Sequence, residues 1–415
     1  MVTGIRRCGK SYLLKEIYAQ YLKDSGVSTE AIIAIDLDDD KNTRLRDPLE
    51  LGTAVRALCA GKHQCCVFID EIQDVFPLIT PALTGGAHVP AKKSDQETVT
   101  FTDTLLGLSQ EKNLDLYITG SNSKMLASDI ATQFRDKAVN ISMAPLSFAE
   151  FHRFSGKSPS EDLCTYMRYG GMPLAVLKDE DGKREYLKGL FEASYFPDII
   201  ERKHLRRSAA LEELCDILAV TAGSLVNSGT LANAFKGAGH GQISKLTAEH
   251  YLGCLKDVFL LREARRFDLK ERKEIGAQRK YYFCDTGLRN ARLNFAFPDE
   301  GQMLENIIYN EMICNGFSVD VGTFDSVDKN HDGKSVRNRH EIDFYTTKGR
   351  RALYVQVCFD LANAQTRQRK IRPFFLLNDQ VQKILVINRP VSESRDENGF
   401  TVIGVTDFLL RFLKH

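Results

Sequence analysis

The sequence predicts an α/β protein: a parallel sheet with helices on both faces, and a second α/β region toward the C-terminus. Three observations predict it. Residues 4–11 read G-I-R-R-C-G-K-S and fit G-x-x-x-x-G-K-[ST]. Residues 65–71 read C-C-V-F-I-D-E, an apolar run ending in two carboxylates. Apolar strand-like runs alternate with helical stretches through residue 145, the pattern of a parallel sheet. The 415 residues leave room for two to three domains. A composition of 43% hydrophobic and 27% charged residues excludes wholesale disorder. The formal charge, 56 − 55 = +1, excludes a histone-like chain or an acidic tail but not local patches.

The strands expected in the first region are Met1–Thr3, Ala31–Leu37, Cys65–Asp70, Leu114–Thr119 and Ala138–Met143. Gly4 and Gly9 allow the loop to curl so that its N–H groups face phosphate oxygens. The expected nucleotide-binding set is Gly4, Ile5, Arg6, Arg7, Cys8, Gly9, Lys10, Ser11 and Tyr12. Lys10 adds positive charge to the β- and γ-phosphates, and the Ser11 hydroxyl faces Mg²⁺. The stretch S-Y-L-L-K-E-I-Y-A-Q-Y-L-K-D-S-G then reads as an amphipathic helix whose positive end points at the nucleotide. Asp70 is expected to hold Mg²⁺ through its water shell and Glu71 to polarise the attacking water, although an acidic pair also caps helices.

Beyond the strand Leu114–Thr119, Asn122 could reach the γ-phosphate or serve as an ordinary helix N-cap. Arg135 could sense the γ-phosphate in its own subunit or a neighbouring one, or lie on a solvated face. The Gly/Pro-rich stretch between Asp74 and Thr100 reads as an insertion, with His88 solvated.

Four domains are expected: the nucleotide domain 1–150, helices over 151–205, a region 206–295 and a second α/β domain 296–415. In the third, helical spacing gives way to a charged hairpin-like stretch, which suggests a winged helix. From Arg262 to Lys280 there are eight Lys/Arg and four Asp/Glu, a local charge of +4. Such a stretch suits phosphate-backbone contact, but the alternation of E, D and K favours a solvated or interdomain surface with internal ion pairs. Residues 365–372 hold four basic residues in eight and allow the same two readings.

G-I-R-R-C-G-K-S, F-I-D-E-I-Q, I-T-G-S-N-S-K-M-L, P-L-S-F-A-E-F and R-Y-G-G-M-P together resemble a prokaryotic family of AAA-type ATPases with a C-terminal domain of unknown function. The likeness continues through E-N-I-I-Y-N-E, E-I-D-F and Y-V-Q-V-C. It implies ATP and Mg²⁺ as cofactors, a helical lid over 151–205 and a ring-forming homo-oligomer as one option. Similar proteins begin with some tens of residues before the P-loop strand. The short strand here is therefore expected to reflect a truncated or misassigned start and to weaken the fold.

Residues 300–388 show the order α-β-β-β-α-β, which is similar to the PD-(D/E)XK restriction-endonuclease fold. That resemblance implies a second metal site at Glu305, Asp343 and Gln356. Gln356 stands in place of the usual acid and Cys358 in place of the lysine, which argues for a degenerate version. Lys348 or Arg367 could substitute spatially.

The function expected is ATP hydrolysis driving a winged-helix and nuclease-like module that engages nucleic acid or a protein. The alternatives are a nucleotide switch or scaffold with little turnover, and an ATP-gated nuclease. Ten scattered cysteines, several in apolar runs, and no apolar run of spanning length point to the cytoplasm and away from a membrane.

Overall fold

The computed structural model describes residues 1–92, 94–121, 134, 138–203, 205, 208–237, 242–296, 299–329, 335–359 and 364–414. Asn122 and Arg135 lie outside them. The chain forms two compact units: Met1–Ala144 with Asp257–Phe259, and Pro145–Lys256 with Leu260–His415.

The first unit is built on a five-stranded parallel sheet of β1 (Val2–Gly4), β2 (Ile32–Asp36), β3 (Cys65–Asp70), β6 (Leu114–Gly120) and β7 (Ile141–Met143), in the order β2-β3-β6-β1-β7. Short as it is, β1 lies inside the sheet, with Val2 opposite both Thr119 and Ile141. Strand period sorts β3 into two faces. Cys65, Val67 and Ile69 meet Leu51 and Val55 of α2 (Pro48–Cys59) and Leu105 and Leu108 of α3 (Phe101–Leu108). Cys66 and Phe68 meet Leu14, Ala19 and Leu22 of α1. Helix α1 runs through Lys10–Tyr12, Leu13–Tyr18 and Ala19–Asp24, its middle stretch π-wound. Asp47 starts α2, its Oδ1 accepting from the Leu49 and Glu50 N–H groups, a cap worth about 1 kcal/mol.

The Gly/Pro-rich stretch carries the short antiparallel pair β4 (Leu78–Ile79) and β5 (Thr98–Val99). His88 is not simply solvated. The second oxygen of Asp47 is left over from capping, and His88 Nδ1 lies 2.7 Å from it.

The second unit opens with α4 (Phe148–Ser155), α5 (Pro159–Tyr169), α6 (Pro173–Val176), α7 (Glu180–Leu190) and α8 (Phe196–Lys203). In the turn between α5 and α6, a Cβ on Gly170 would stand 2.1 Å from Asp285 Oδ1 and one on Gly171 2.2 Å from the Leu146 carbonyl, so only glycine fits. Next come α9 (Ser208–Val220), β8 (Leu225–Val226), α10 (Ser228–Gly237), α11 (Lys245–Asp257), β9 (Leu261–Asp268), β10 (Lys273–Phe283) and α12 (Thr286–Arg292). The expected hairpin is β9 with β10, paired antiparallel.

The hairpin is not a separate wing but part of a larger sheet. After α13 (Glu300–Cys314), β11 (Ser318–Lys329) pairs parallel to β9. With β12 (Ser335–Lys348), β13 (Arg351–Cys358), α14 (Ala364–Leu376), β14 (Gln382–Ile387), β15 (Ser394–Arg395), β16 (Thr401–Gly404) and α15 (Val405–Leu410), segments 206–295 and 296–415 share one nine-stranded sheet.

From α13 to β14 the element order is α-β-β-β-α-β, with β11-β12-β13 antiparallel and β14 parallel to β13. Asp320 pairs with Tyr345 and Gly322 with Ile342, so Asp343 and Phe344 together oppose Val321. This bulge turns Phe344 toward Leu304 and Ile307 of α13, and Ile342 toward Phe374 of α14 and Leu377 just beyond it. Asp343 sits at the crossover between the two faces.

Candidate functional site

The loop after β1 turns through Arg7 at φ 65° and Gly9 at φ 104°. Gly4 lies so close to β7 that a Cβ would stand 2.1 Å from the Met143 carbonyl. Gly9 is the N-cap of α1 and makes no side-chain cap, leaving the first N–H groups of the helix for a ligand. Lys10 is buried, and its Nζ donates to the Gly4 and Ile5 carbonyls at 3.0 and 3.1 Å, inside the curl of the loop. Open N–H groups, a helix N-terminus and an ammonium in one curl are the donor set a triphosphate requires.

Because the sheet is parallel, β3 ends at the same edge as β1. Asp70 is buried there and held on all sides. Lys15 of α1 lies 2.6 Å from Asp70 Oδ2 and 2.6 Å from Asp36 Oδ2. Thr119 of β6 donates to Asp70 Oδ1 and accepts the Glu71 N–H at 3.1 Å. Burial alone would raise the Asp70 carboxyl, but hydrogen bonds from Lys15, Thr119 and Ser11 hold it below the ordinary carboxylate value. Ser11 and Asp70 thus meet, as an Mg²⁺ site requires. Glu71 is in the left-handed region at φ 54°. Its Oε2 accepts from Ser121 Oγ at 3.2 Å and from Gln73 Nε2. Lys15, Thr119 and Ser121 were not singled out from the sequence. A lysine five residues after Lys10 was the available signal for the first.

The second charged centre lies in the other unit. Lys280 of β10 is buried, with Nζ 2.9 Å from Glu305 Oε1 and 2.8 Å from Glu341 Oε1. Tyr282 donates to Glu305 Oε1 at 2.7 Å. Lys370 of α14 donates to both oxygens of Asp343 at 2.8 and 2.7 Å. Gln356 straps the bulge: its Oε1 accepts the Asp343 N–H at 2.9 Å, and its Nε2 donates to the Lys370 and Glu341 carbonyls.

Burial works against the Lys280 ammonium, yet Glu305, Glu341 and Asp343 hold its proton more tightly than water does. Burial raises Glu305 despite Lys280. Burial would raise Asp343 too, but Lys370 and Lys280 bring it below the ordinary value.

Glu305, Asp343 and Gln356, read from the sequence as a metal trio, therefore converge on ammonium groups. The two carboxylates are paired with lysines and the amide oxygen with a backbone N–H. Among the described residues no group of three or more His, Cys, Asp or Glu is placed to hold a metal ion. The residues as arranged do not fit a divalent cation. Lys370, not Lys348, supplies the positive charge on Asp343; Lys348 lies over the Phe317 ring. Cys358 points into an apolar cluster with Leu385 and Ile387.

The basic stretch 262–280 is largely paired within the chain: Arg265 with Glu274, Lys273 with Glu271, Lys280 with Glu305. A cavity of 560 Å³ in the second unit, walled by Leu163, Met167, Asn290, Met303 and Phe359, shares no lining residue with either centre. None of the ten cysteines is in a disulfide, and eight are buried. Among the described residues no helix is long and apolar enough to cross a membrane.

Residues 1–152 match the family of AAA domains, and residues 160–299 match a domain of unknown function, DUF8612. An uncharacterized protein of Haemophilus influenzae is 29% identical over 99% of this chain and 94% of its own length. An uncharacterized protein of Methanocaldococcus jannaschii is 25% identical over 98% of this chain and 84% of its own. The Aeropyrum pernix Orc1 protein, solved in complex with DNA, overlays 70% of this chain and 85% of its own at 10% identity and a TM-score of 0.26. On its family match the first unit is similar to AAA domains, and its parallel sheet fits a P-loop AAA-type fold.

Proposed function

We propose that the protein hydrolyses ATP with Mg²⁺ in its N-terminal unit and uses the cycle to change the state of the C-terminal unit, which engages nucleic acid or a protein partner. One observation carries the reading. The glycine-capped start of α1 with Lys10, and the Asp70–Glu71 pair, stand at the same edge of one parallel sheet. Mg²⁺ would supply charge neutralisation and Ser11 and Asp70 would hold it. Lys10 stabilises phosphate charge, Thr119 fixes the angle of the Asp70–Glu71 corner, and Ser121 and Gln73 orient the Glu71 carboxylate to take a proton from water.

Steady-state ATP hydrolysis, with and without DNA and RNA, tests this against Glu71→Gln. Turnover that the variant abolishes supports it. ATP binding without turnover in the wild type would replace it with a nucleotide switch. The lysine-filled centre does not favour an ATP-gated nuclease. Plasmid cleavage in Mg²⁺ that Asp343→Ala removes would reverse that judgement.

A further inference from the structure

The 560 Å³ cavity of the second unit opens beyond the C-terminal ends of three parallel strands. β14 pairs parallel with β13 on one side and with β16 on the other. Phe359 follows β13, Asn388 and Arg389 follow β14, and Thr406 lies two residues past β16; all four line the cavity. The strand ends are drawn together. The Asn388 N–H donates to the Cys358 carbonyl at 3.3 Å, and a Cβ on Gly404 would stand 2.3 Å from the Arg389 carbonyl. Chains leaving a parallel sheet diverge, and the crevice between them is where open α/β sheets hold ligands. Leu163 and Met167 of α5 and Met303 of α13 give the cavity its apolar side. The volume falls within the range of about 300–1,000 Å³ common to small-molecule pockets.

Asn290, also on the lining, is spent on the fold: its Nδ2 donates to the Met167 and Arg168 carbonyls and its Oδ1 accepts from Arg289. The groups at the strand ends are not. Thr406 is only 9% exposed, and its hydroxyl has no hydrogen-bond partner among the described residues. The half-buried Asn388 amide and the exposed Arg389 guanidinium have none there either. Arg168 lies 5.4 Å from the centre of the Tyr169 ring and pairs with no carboxylate among those residues. Against these two guanidiniums the described lining carries one acid, Glu300. Donors that the chain leaves without a partner, around an apolar hollow, are what a ligand completes. The backbone at the wall is strained as well. Lining residue Phe295 and its neighbour Asn294 stand at φ 57° and 53°, a region that bulky residues rarely enter and that recurs at ligand sites.

We propose that this cavity binds a small organic monoanion. Its apolar body lies against Leu163, Met167, Met303 and Phe359, and its acidic group, a carboxylate or a sulfonate, meets Arg389, Asn388 and Thr406. The unbranched methionines let the apolar side take bodies of more than one shape. Two guanidiniums less one carboxylate leave the lining a single positive charge, which selects one negative charge and disfavours a neutral amphiphile. The site lies wholly in the second unit and does not depend on the ATPase reading.

The test uses the full chain and two probes of the same shape, naphthoate and its neutral amide. Cys164 is a local reporter: it is exposed and lines the cavity, whereas Cys314, also exposed, does not. Binding is read by calorimetry, and occupancy by the rate at which a maleimide labels each thiol. Naphthoate is expected to bind at least about tenfold more tightly than the amide, and to slow labelling of Cys164 but not of Cys314. Arg389→Met should bring the two probes level. Cys164→Phe, which fills the cavity from an exposed position, should weaken both. Equal affinity for the two probes in the wild type overturns the proposal. So does naphthoate that leaves the labelling of Cys164 unchanged, a preference that survives Arg389→Met, or Cys164→Phe binding naphthoate like its parent. Arg389 and Cys164 are both exposed, so neither variant puts the fold at risk.

Discussion

The P-loop centre and the lysine–carboxylate centre both gather charge in a buried place, but they are built in opposite ways. In the first, one short stretch of backbone makes the anion site, and Gly9, Lys10 and Ser11 are adjacent in sequence. In the second, Lys280, Glu305, Glu341, Asp343 and Lys370 come from four separate elements, and their mutual pairing completes the site. A backbone cradle leaves its charge free for a ligand. A set of interlocked side chains spends that charge on itself, as buried ion pairs must to offset desolvation. On the proposed function the first is a working site and the second a structural one.

The contrast can be broken by substitution. The largest effect is expected from Lys10→Ala: ATP affinity and turnover fall by about 10²–10³ or more. Wild-type affinity in that variant, measured by calorimetry, would sink the P-loop assignment. Glu71→Gln should lower kcat by about 10²–10⁴ while ATP still binds. Equal kcat in single-turnover assays would take Glu71 out of the chemistry.

In the other centre the expected effect is on stability. Lys280→Met strands Glu305 and Glu341 and should cost about 3–5 kcal/mol in denaturant unfolding, with ATP turnover unchanged. Adding Glu305→Gln should recover part of it. A neutral Lys280→Met would mean the carboxylates find another cation, and the metal reading would return.

A smaller effect depends on pH. Burial pushes the Glu311 carboxyl up to about 7 from an ordinary 4.5, and its Oε1 accepts the Phe148 N–H at 2.6 Å. The folded chain then keeps a proton that the unfolded chain has lost. The stability from this group is full below the unfolded value, falls as pH rises through the window from 4.5 to about 7, and is level above it. Glu311→Gln should gain on the wild type across that window. A stability difference that is the same at both ends would rule this out. Asp285, raised by burial to about 6, adds a similar fall at lower pH in both proteins. Last, His88→Ala removes a partly exposed pair with Asp47 and should cost no more than about 1 kcal/mol, read as a small drop in melting temperature. A loss of several kcal/mol would show that the stretch from Asp74 to Thr100 depends on it.

Much of the first unit was legible. Cys65–Asp70 is a strand over the range the sequence indicates, because six apolar or terminal residues in a row have no other place than the middle of a parallel sheet. The curl at Gly4 and Gly9 arises from residues that alone accept those backbone angles. The P-loop strand, expected to be weak, is held on both sides by β6 and β7.

The second unit was legible in element order but not in its joints. No local pattern announces that β11 will pair with β9, since Val321 and Arg266 are far apart in sequence. The bulge at Asp343 was equally hidden, because alternation in E-I-D-F reads the same with or without it. Lys370 looked like one of four surface cations and turned inward. Lys280 looked like the end of a basic hairpin and became the buried partner of two carboxylates.

The sequence by itself determined the phosphate loop, the acidic strand end and the run of elements, because each depends on residues in contact along the chain. Only the tertiary structure decided what the second centre is. Whether a carboxylate meets a metal, a lysine or water depends on which strands lie side by side, and that is fixed by pairing between distant segments.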